Sequence, residues 1–271
     1  FTVSATTSST VVTPKGSRIQ FPPNAFQFSN GMPVTGNVEV KFLEVFSHTD
    51  MIYSGFFPVS YNQVLNSGAE YYLQASQNGQ NLIVNDNHFI EVELPAQAGP
   101  QNMELFFAPG DLDNDSLNFE PQGDTLGGPN GSYSNSSFTF NSSDDSYSLT
   151  LDSMGWGNID AFDWSIQYFD CTFNLTGLTG LDNSNTTAFA VFENQNSIWP
   201  VGVSGWGSIS NNVIQESHLG GVPMNVVVIS VVNGQLYSGL LNVTPTQNST
   251  YSIAMTATTS AALDAMINGL P

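Results

Sequence analysis

Basic residues are nearly missing from this chain of 271 residues: three Lys and Arg stand against 23 Asp and Glu, for a formal charge of −20. Nucleic acid is held by neutralising many phosphates, so DNA and RNA are excluded as partners, and an anionic membrane surface with them. Cysteine is as scarce. Cys171 stands alone, which rules out an internal disulfide and leaves the core, or assembly with other chains, to supply stability; it reads as a small buried hydrophobe. Long hydrophobic runs are lacking too. The longest, residues 226–232, is interrupted by Ser230 and suits a buried strand, far short of the ~20 residues a helix needs to cross a bilayer. No basic and then apolar leader follows Phe1, so an export signal is expected to have been removed or to lie outside this sequence.

What is there is 40% hydrophobic and 12% aromatic with only 10% charged, the balance of a folded chain and not of a disordered one. Trypsin-like proteases would find only Lys15, Arg18 and Lys41 to cut, and an acidic surface of this kind points outside the cell. Period-two alternation is the dominant pattern: Phe1, Val3 and Ala5 alternate with Thr2, Ser4 and Thr6, and Val38, Val40 and Phe42 with Glu39 and Lys41. Turn pairs punctuate these runs, among them Asn30-Gly31, Asn78-Gly79, Pro109-Gly110 and Asn233-Gly234. The expected fold is all-β, two β-sandwiches of Ig-like or ZU5-like kind with a short C-terminal helix. Residues 1–110 form the first sandwich, 111–163 a polar connecting segment with added strands, and 164–271 the second, whose strands start with a run from Trp164 to Leu175. In the helix Ser260 is the expected cap, Leu263, Met266 and Ile267 share a face, and Gly269 is the stop.

Several strings in the first half resemble a known family. They are Gly16-Ser17-Arg18-Ile19-Gln20-Phe21-Pro22-Pro23-Asn24-Ala25-Phe26, then Gly31-Met32-Pro33-Val34-Thr35-Gly36-Asn37-Val38-Glu39-Val40, then Asp50-Met51-Ile52-Tyr53-Ser54-Gly55. Leu65-Asn66-Ser67-Gly68-Ala69, Asn78-Gly79-Gln80-Asn81-Leu82 and Met103-Glu104-Leu105-Phe106 continue the series. Together, over residues 1–108, they resemble the ZU5-like β-sandwich domains of Bacteroidota surface proteins. Gly155-Trp156-Gly157-Asn158-Ile159-Asp160-Ala161-Phe162 looks like the element that often follows such a domain, with Ala161 where a basic residue is usual, and the last hundred residues look like the accompanying β-domain. The resemblance implies an exported, bacterial cell-surface protein and brings no catalytic residue and no enzyme activity with it.

Candidate chemistry is sparse. Asp111, Asp113, Asp115 and Glu120 offer hard oxygen ligands for Ca²⁺ within ten residues, with a solvated acidic loop as the other reading; Ser116 and Gln122 depart from an EF-hand. His48, His88 and His218 have no partner at zinc-ligand spacing, and Gly202-Val203-Ser204-Gly205-Trp206 lacks the last glycine of a nucleophile elbow. The chain is therefore expected not to be an enzyme. Ser116, Thr125 and Ser153 sit in Asp-Ser/Thr-apolar triplets that look like O-glycosylation acceptors of exported Bacteroidota proteins. Trp199, Trp206 and Tyr237 are candidates for stacking on surface glycans, while Trp156 and Trp206, each between two glycines, also read as core anchors.

The terminal segment carries the functional expectation. Residues 1–12 are alternating, uncharged and β-prone, with Phe1, Val3, Ala5 and Val11 on the apolar positions and no charge to deter pairing. Such a strand can belong to its own sandwich or add to the sheet of another copy. The resulting expectation is a non-catalytic structural subunit of an extracellular filament, sheath or surface layer whose partners are copies of itself. The alternative is an adhesin or glycan-binding module.

Overall fold

The computed structural model describes residues 1–61, 63–86, 88–97, 102–108, 119–121, 136–202, 207–217 and 219–271. Among them the chain is all-β, with two short helices. It divides into two compact units. The first comprises Phe1–Phe46, Val59–Asn62 and Ser67–Ala161, and the second Ser47–Pro58, Gln63–Asn66 and Phe162–Pro271. The first unit therefore extends through the stretch expected to be a connector, and the second takes up two short pieces of the N-terminal half.

In chain order the strands begin with β1 (Thr2–Ser4), β2 (Ser9–Val12), β3 (Arg18–Phe21), β4 (Phe26–Phe28) and β5 (Asn37–Val45), then helix α1 (His48–Ser54). There follow β6 (Val59–Ser60), β7 (Gln63–Gln77), β8 (Gln80–Val84), β9 (Ile90–Pro95), β10 (Glu104–Ala108), β11 (Glu120–Pro121), β12 (Ser137–Asn141), β13 (Ser146–Leu151) and β14 (Gly155–Phe162). One sheet of the first unit runs β1-β5-β7-β14-β10-β11, with β8 between β4 and β7 at its end; the other runs β12-β13-β9-β3-β2. Alternation sets what each sheet buries. Val38, Val40, Tyr71, Leu73, Leu105 and Ile159 of the large sheet share one apolar core with Ile19, Phe21, Val92, Leu94 and Leu149 of the small one. The β7–β8 connection is the expected Asn78-Gly79 turn, both residues at positive φ (52° and 76°), which matches the right-handed twist of a tight hairpin.

The second unit holds β15 (Cys171–Thr176), β16 (Thr186–Phe192), β17 (Ile198–Val201), β18 (Gly207–Ser210), β19 (Val213–Glu216), β20 (Met224–Val232), β21 (Gln235–Val243), β22 (Ser249–Ala254) and β23 (Thr256–Ala257), closed by helix α2 (Ser260–Asn268). Its sheets run β18-β19-β15-β22 and β17-β16-β20-β21-β23. The run 249–257 changes sheets at Met255, whose N–H makes the last bond of the parallel ladder, to Thr176 O at 2.8 Å. The long β20–β21 hairpin turns at Asn233-Gly234, again with both at positive φ.

Three local expectations are corrected. Trp164 does not open a strand: the ladder starts only at Cys171, and the Trp164 ring, 76% exposed, stacks on Phe162 at 5.4 Å. The cap of α2 is Thr259, whose hydroxyl accepts from the Ala262 N–H at 3.2 Å, so Ser260 is already helical; Leu263 and Ile267 are the buried residues on its apolar face. Helix α1 is additional. Ser47 and Asp50 form a reciprocal capping box at its start and Gly55, at φ 73°, ends it.

Candidate functional site: open sheet edges and a buried acid pair

The terminal segment lies in the first unit, split over both sheets. β1 pairs antiparallel with β5, Val3 opposite Val38, and β2 with β3, Val11 opposite Ile19. Val3 and Ala5 are buried in the core, Val11 is half-buried and Phe1 is 52% exposed, its ammonium donating to Val40 O at 2.8 Å. Among the described residues each is the outermost strand of its sheet. In β2 (Ser-Thr-Val-Val) burial alternates, with Thr10 and Val12 outward and Val12 64% exposed. An antiparallel edge strand turns alternate N–H and C=O groups away from its one neighbour, and β2 carries neither charge nor proline to block their use.

The other candidates are scattered. Asp111, Asp113 and Asp115 lie outside the described residues; Glu120 is half-buried in β11, opposite Phe107. No three of His, Cys, Asp and Glu gather as a metal site among the described residues. Ser116 and Thr125 are also outside them, and Ser153 is half-buried in the bend between β13 and β14. Of the stacking set, Trp206 is not described, Tyr237 is half-buried in β21, and Trp199 is a correction. It is fully buried in β17, opposite Ala190 of β16, and presents no ring face to a glycan. His48 serves structure: its Nε2 accepts from the Ser197 N–H at 3.1 Å while Nδ1 lies 2.5 Å from Pro271 O.

The second unit contains an open cleft of about 460 Å³, walled by Asp170, Cys171, Gln215, Glu216 and Asn248. Its acid Glu216 is already bonded, Oε2 by the Gly202 N–H and Oε1 by the Ser217 N–H, both at 3.0 Å. Burial, then Glu216 and Asp170, push the Cys171 thiol up to about 12, which leaves it protonated and unreactive near neutrality.

One constellation went unread in the sequence. On the large sheet of the first unit, Glu70 of β7 and Asp160 of β14 are both completely buried, and β7 and β14 are neighbours. Neither Glu70 oxygen has a hydrogen-bond donor, nor does Asp160 Oδ1. Asp160 is otherwise supported: the Asn158 amide donates to Oδ2 at 2.5 Å, and the Gly68 N–H and Ser67 hydroxyl bond to the same carboxylate. The single Ser67 proton has a competing acceptor in Asn158 Oδ1, 2.9 Å away. Burial raises both carboxyls well above their usual range. The Asp160 charge raises Glu70 further, while the three donors pull Asp160 back. Gly68 makes room: a Cβ there would lie 2.8 Å from the Tyr147 hydroxyl and 2.9 Å from Ile159 O. The available signal was an acid, Glu70, directly between Ala69 and Tyr71-Tyr72, and a second in the Gly-Trp-Gly-Asn-Ile-Asp string.

Comparison with known proteins gives no match: no family model, no curated protein and no solved structure resembles the chain.

Proposed function

We propose that this is a non-catalytic structural subunit of an extracellular or cell-surface assembly, joined to copies of itself by strand pairing at its sheet edges. The observation that carries the reading is the position of β2, an uncharged outermost strand with Thr10 and Val12 turned outward. A matching strand from a second copy would gain main-chain hydrogen bonds along this edge and cover exposed apolar side chains. Charge works the same way. With a formal charge of −20, copies repel over most of their surface, so contact is favoured where no acid stands, and β1 and β2 contain none. The export and bacterial surface location implied by the ZU5-like strings belong to this proposal. The adhesin reading has lost Trp199 from its aromatic set.

The test is sedimentation and electron microscopy of the natural protein beside a Thr10→Lys, Val12→Lys variant. Wild type should form ordered multimers and the variant remain monomeric with an unchanged circular dichroism spectrum, since both side chains point to solvent. A monomeric wild type, or multimers that survive both substitutions, would defeat the proposal.

A further inference from the structure

The first unit buries two acids side by side without a base. All three cationic side chains are elsewhere: Lys15 donates to the Glu44 carbonyl at 3.3 Å, and Arg18 sits opposite Glu93 in the smaller sheet. Lys41 is exposed on β5, four residues before Val45, the residue opposite Glu70, about 13 Å along the strand. Across β14, the residue paired with Asp160 is Glu104 of β10, which is exposed. From β13 the phenol of Tyr147 feels Asp160 and is itself pushed up to about 12, by burial and then by that charge. Among the described residues no Lys or Arg is placed against the two carboxylates, and two full charges at such depth are costly.

The hydrogen-bond pattern distinguishes the two acids. Asp160 accepts from the Asn158 amide and is favoured by the Gly68 N–H, while the one Ser67 proton is divided between it and Asn158 Oδ1; its own Oδ1 has no partner. Glu70 has no donor at either oxygen. A proton on Glu70 removes a charge that no donor supports and that the charge of Asp160, on the neighbouring strand, opposes. We propose that Glu70, fully buried with no donor to either oxygen and on the strand beside that of the buried Asp160, is kept as the neutral acid, and that loss of its proton in alkaline medium loosens the first sandwich. The seam between the two strands is a consequential place for a second charge. β7 and β14 join the β1-β5 half of the large sheet to the β10-β11 half, so repulsion there acts on the middle of the sheet. This device is independent of how copies associate.

The sign follows from linkage. A carboxyl that holds its proton more tightly folded than unfolded stabilises the fold most in acid, and that contribution falls as pH rises until the folded group itself ionises. The unfolding constant of wild type should therefore rise about tenfold per pH unit between the usual glutamate range and the folded pKa of Glu70, then level off. Glu70→Gln has no such proton to lose and should lack this one-proton slope.

Two measurements test it on the full-length chain: urea unfolding from pH 5 to 9, and the infrared carbonyl stretch of protonated carboxyl groups at pH 7. Wild type should show that band and the slope, and Glu70→Gln neither. Should Glu70→Gln not fold, the wild-type band must still vanish in step with alkaline loosening. The proposal is overturned by a missing band in wild type, by a band that persists in Glu70→Gln, by parallel pH profiles, or by a stoichiometric metal whose removal with EDTA destabilises the protein.

Discussion

Two buried glutamates are treated in opposite ways. Glu216, at the end of β19 in the second unit, receives a backbone N–H on each oxygen, from Gly202 and Ser217. Glu70, in the first unit, receives none and has another acid for a neighbour. The same residue type at similar depth is thus solvated by the backbone in one unit and left without a donor in the other, where burial and Asp160 raise its pKa. Which outcome holds is decided by local loops and strand order. It cannot be read from composition, although three Lys and Arg against 23 Asp and Glu leave most acids without a salt-bridge partner.

The broadest way to test the comparison is to remove one buried indole from each unit. Trp156 is buried on β14 against Tyr72 at 5.0 Å, and Trp199 is buried on β17. Replacing either with Ala should cost about 4 kcal/mol in its own unit, measured by urea unfolding. For Trp199→Ala, alkylation of Cys171 gives a separate readout of the second unit, because the buried thiol reacts only when that unit opens. An unchanged alkylation rate would mean that Trp199 packs loosely.

Next in size is the exchange at the acids themselves. In Glu216→Gln the amide can accept only one of the two N–H groups and sets its own N–H₂ toward the other, so a loss of about 2 kcal/mol is expected at pH 7. Glu70→Gln should cost less than this at pH 8, because the raised pKa of Glu70 means that wild type has by then lost much of the stability its proton lends in acid. Equal losses at the two sites, measured by urea unfolding at that pH, would erase the distinction.

Much of the architecture was legible because it depends on neighbours in sequence. The Asn78-Gly79 and Asn233-Gly234 hairpins follow from residues that accept positive φ, and the alternation through residues 38–42 follows from one face being buried. Helix α1 was also spelled out, in Ser47 and Asp50 at capping-box spacing, but its brevity hid it among strands. The acid pair was not legible. Glu70 and Asp160 meet only because β14 lies beside β7, a pairing between segments 90 residues apart that no local pattern announces. Trp199, a candidate for stacking on glycans, misled for a related reason: only the pairing of β16 with β17 shows it buried.

The smallest effect concerns a neutral group that shares the predicament of Glu70. Tyr71, next along β7, turns into the core beside Phe42, with ring centroids 6.0 Å apart, and its hydroxyl is buried without a hydrogen-bond partner. Space for that hydroxyl comes from Gly157, where a Cβ would stand 2.3 Å from it. A phenol has no accessible charged state to relieve it, since burial alone drives its ionisation far above the usual tyrosine range. The cost is therefore plain desolvation at every pH. Tyr71→Phe removes the orphaned oxygen and keeps the ring, so it should stabilise the first unit by about 1 kcal/mol, with the same gain at pH 5 and pH 9. A gain that instead grew with pH would couple the hydroxyl to the charge of the buried acids, and a loss would reveal a partner for it; either result would separate Tyr71 from the class of unsolvated groups to which Glu70 is assigned.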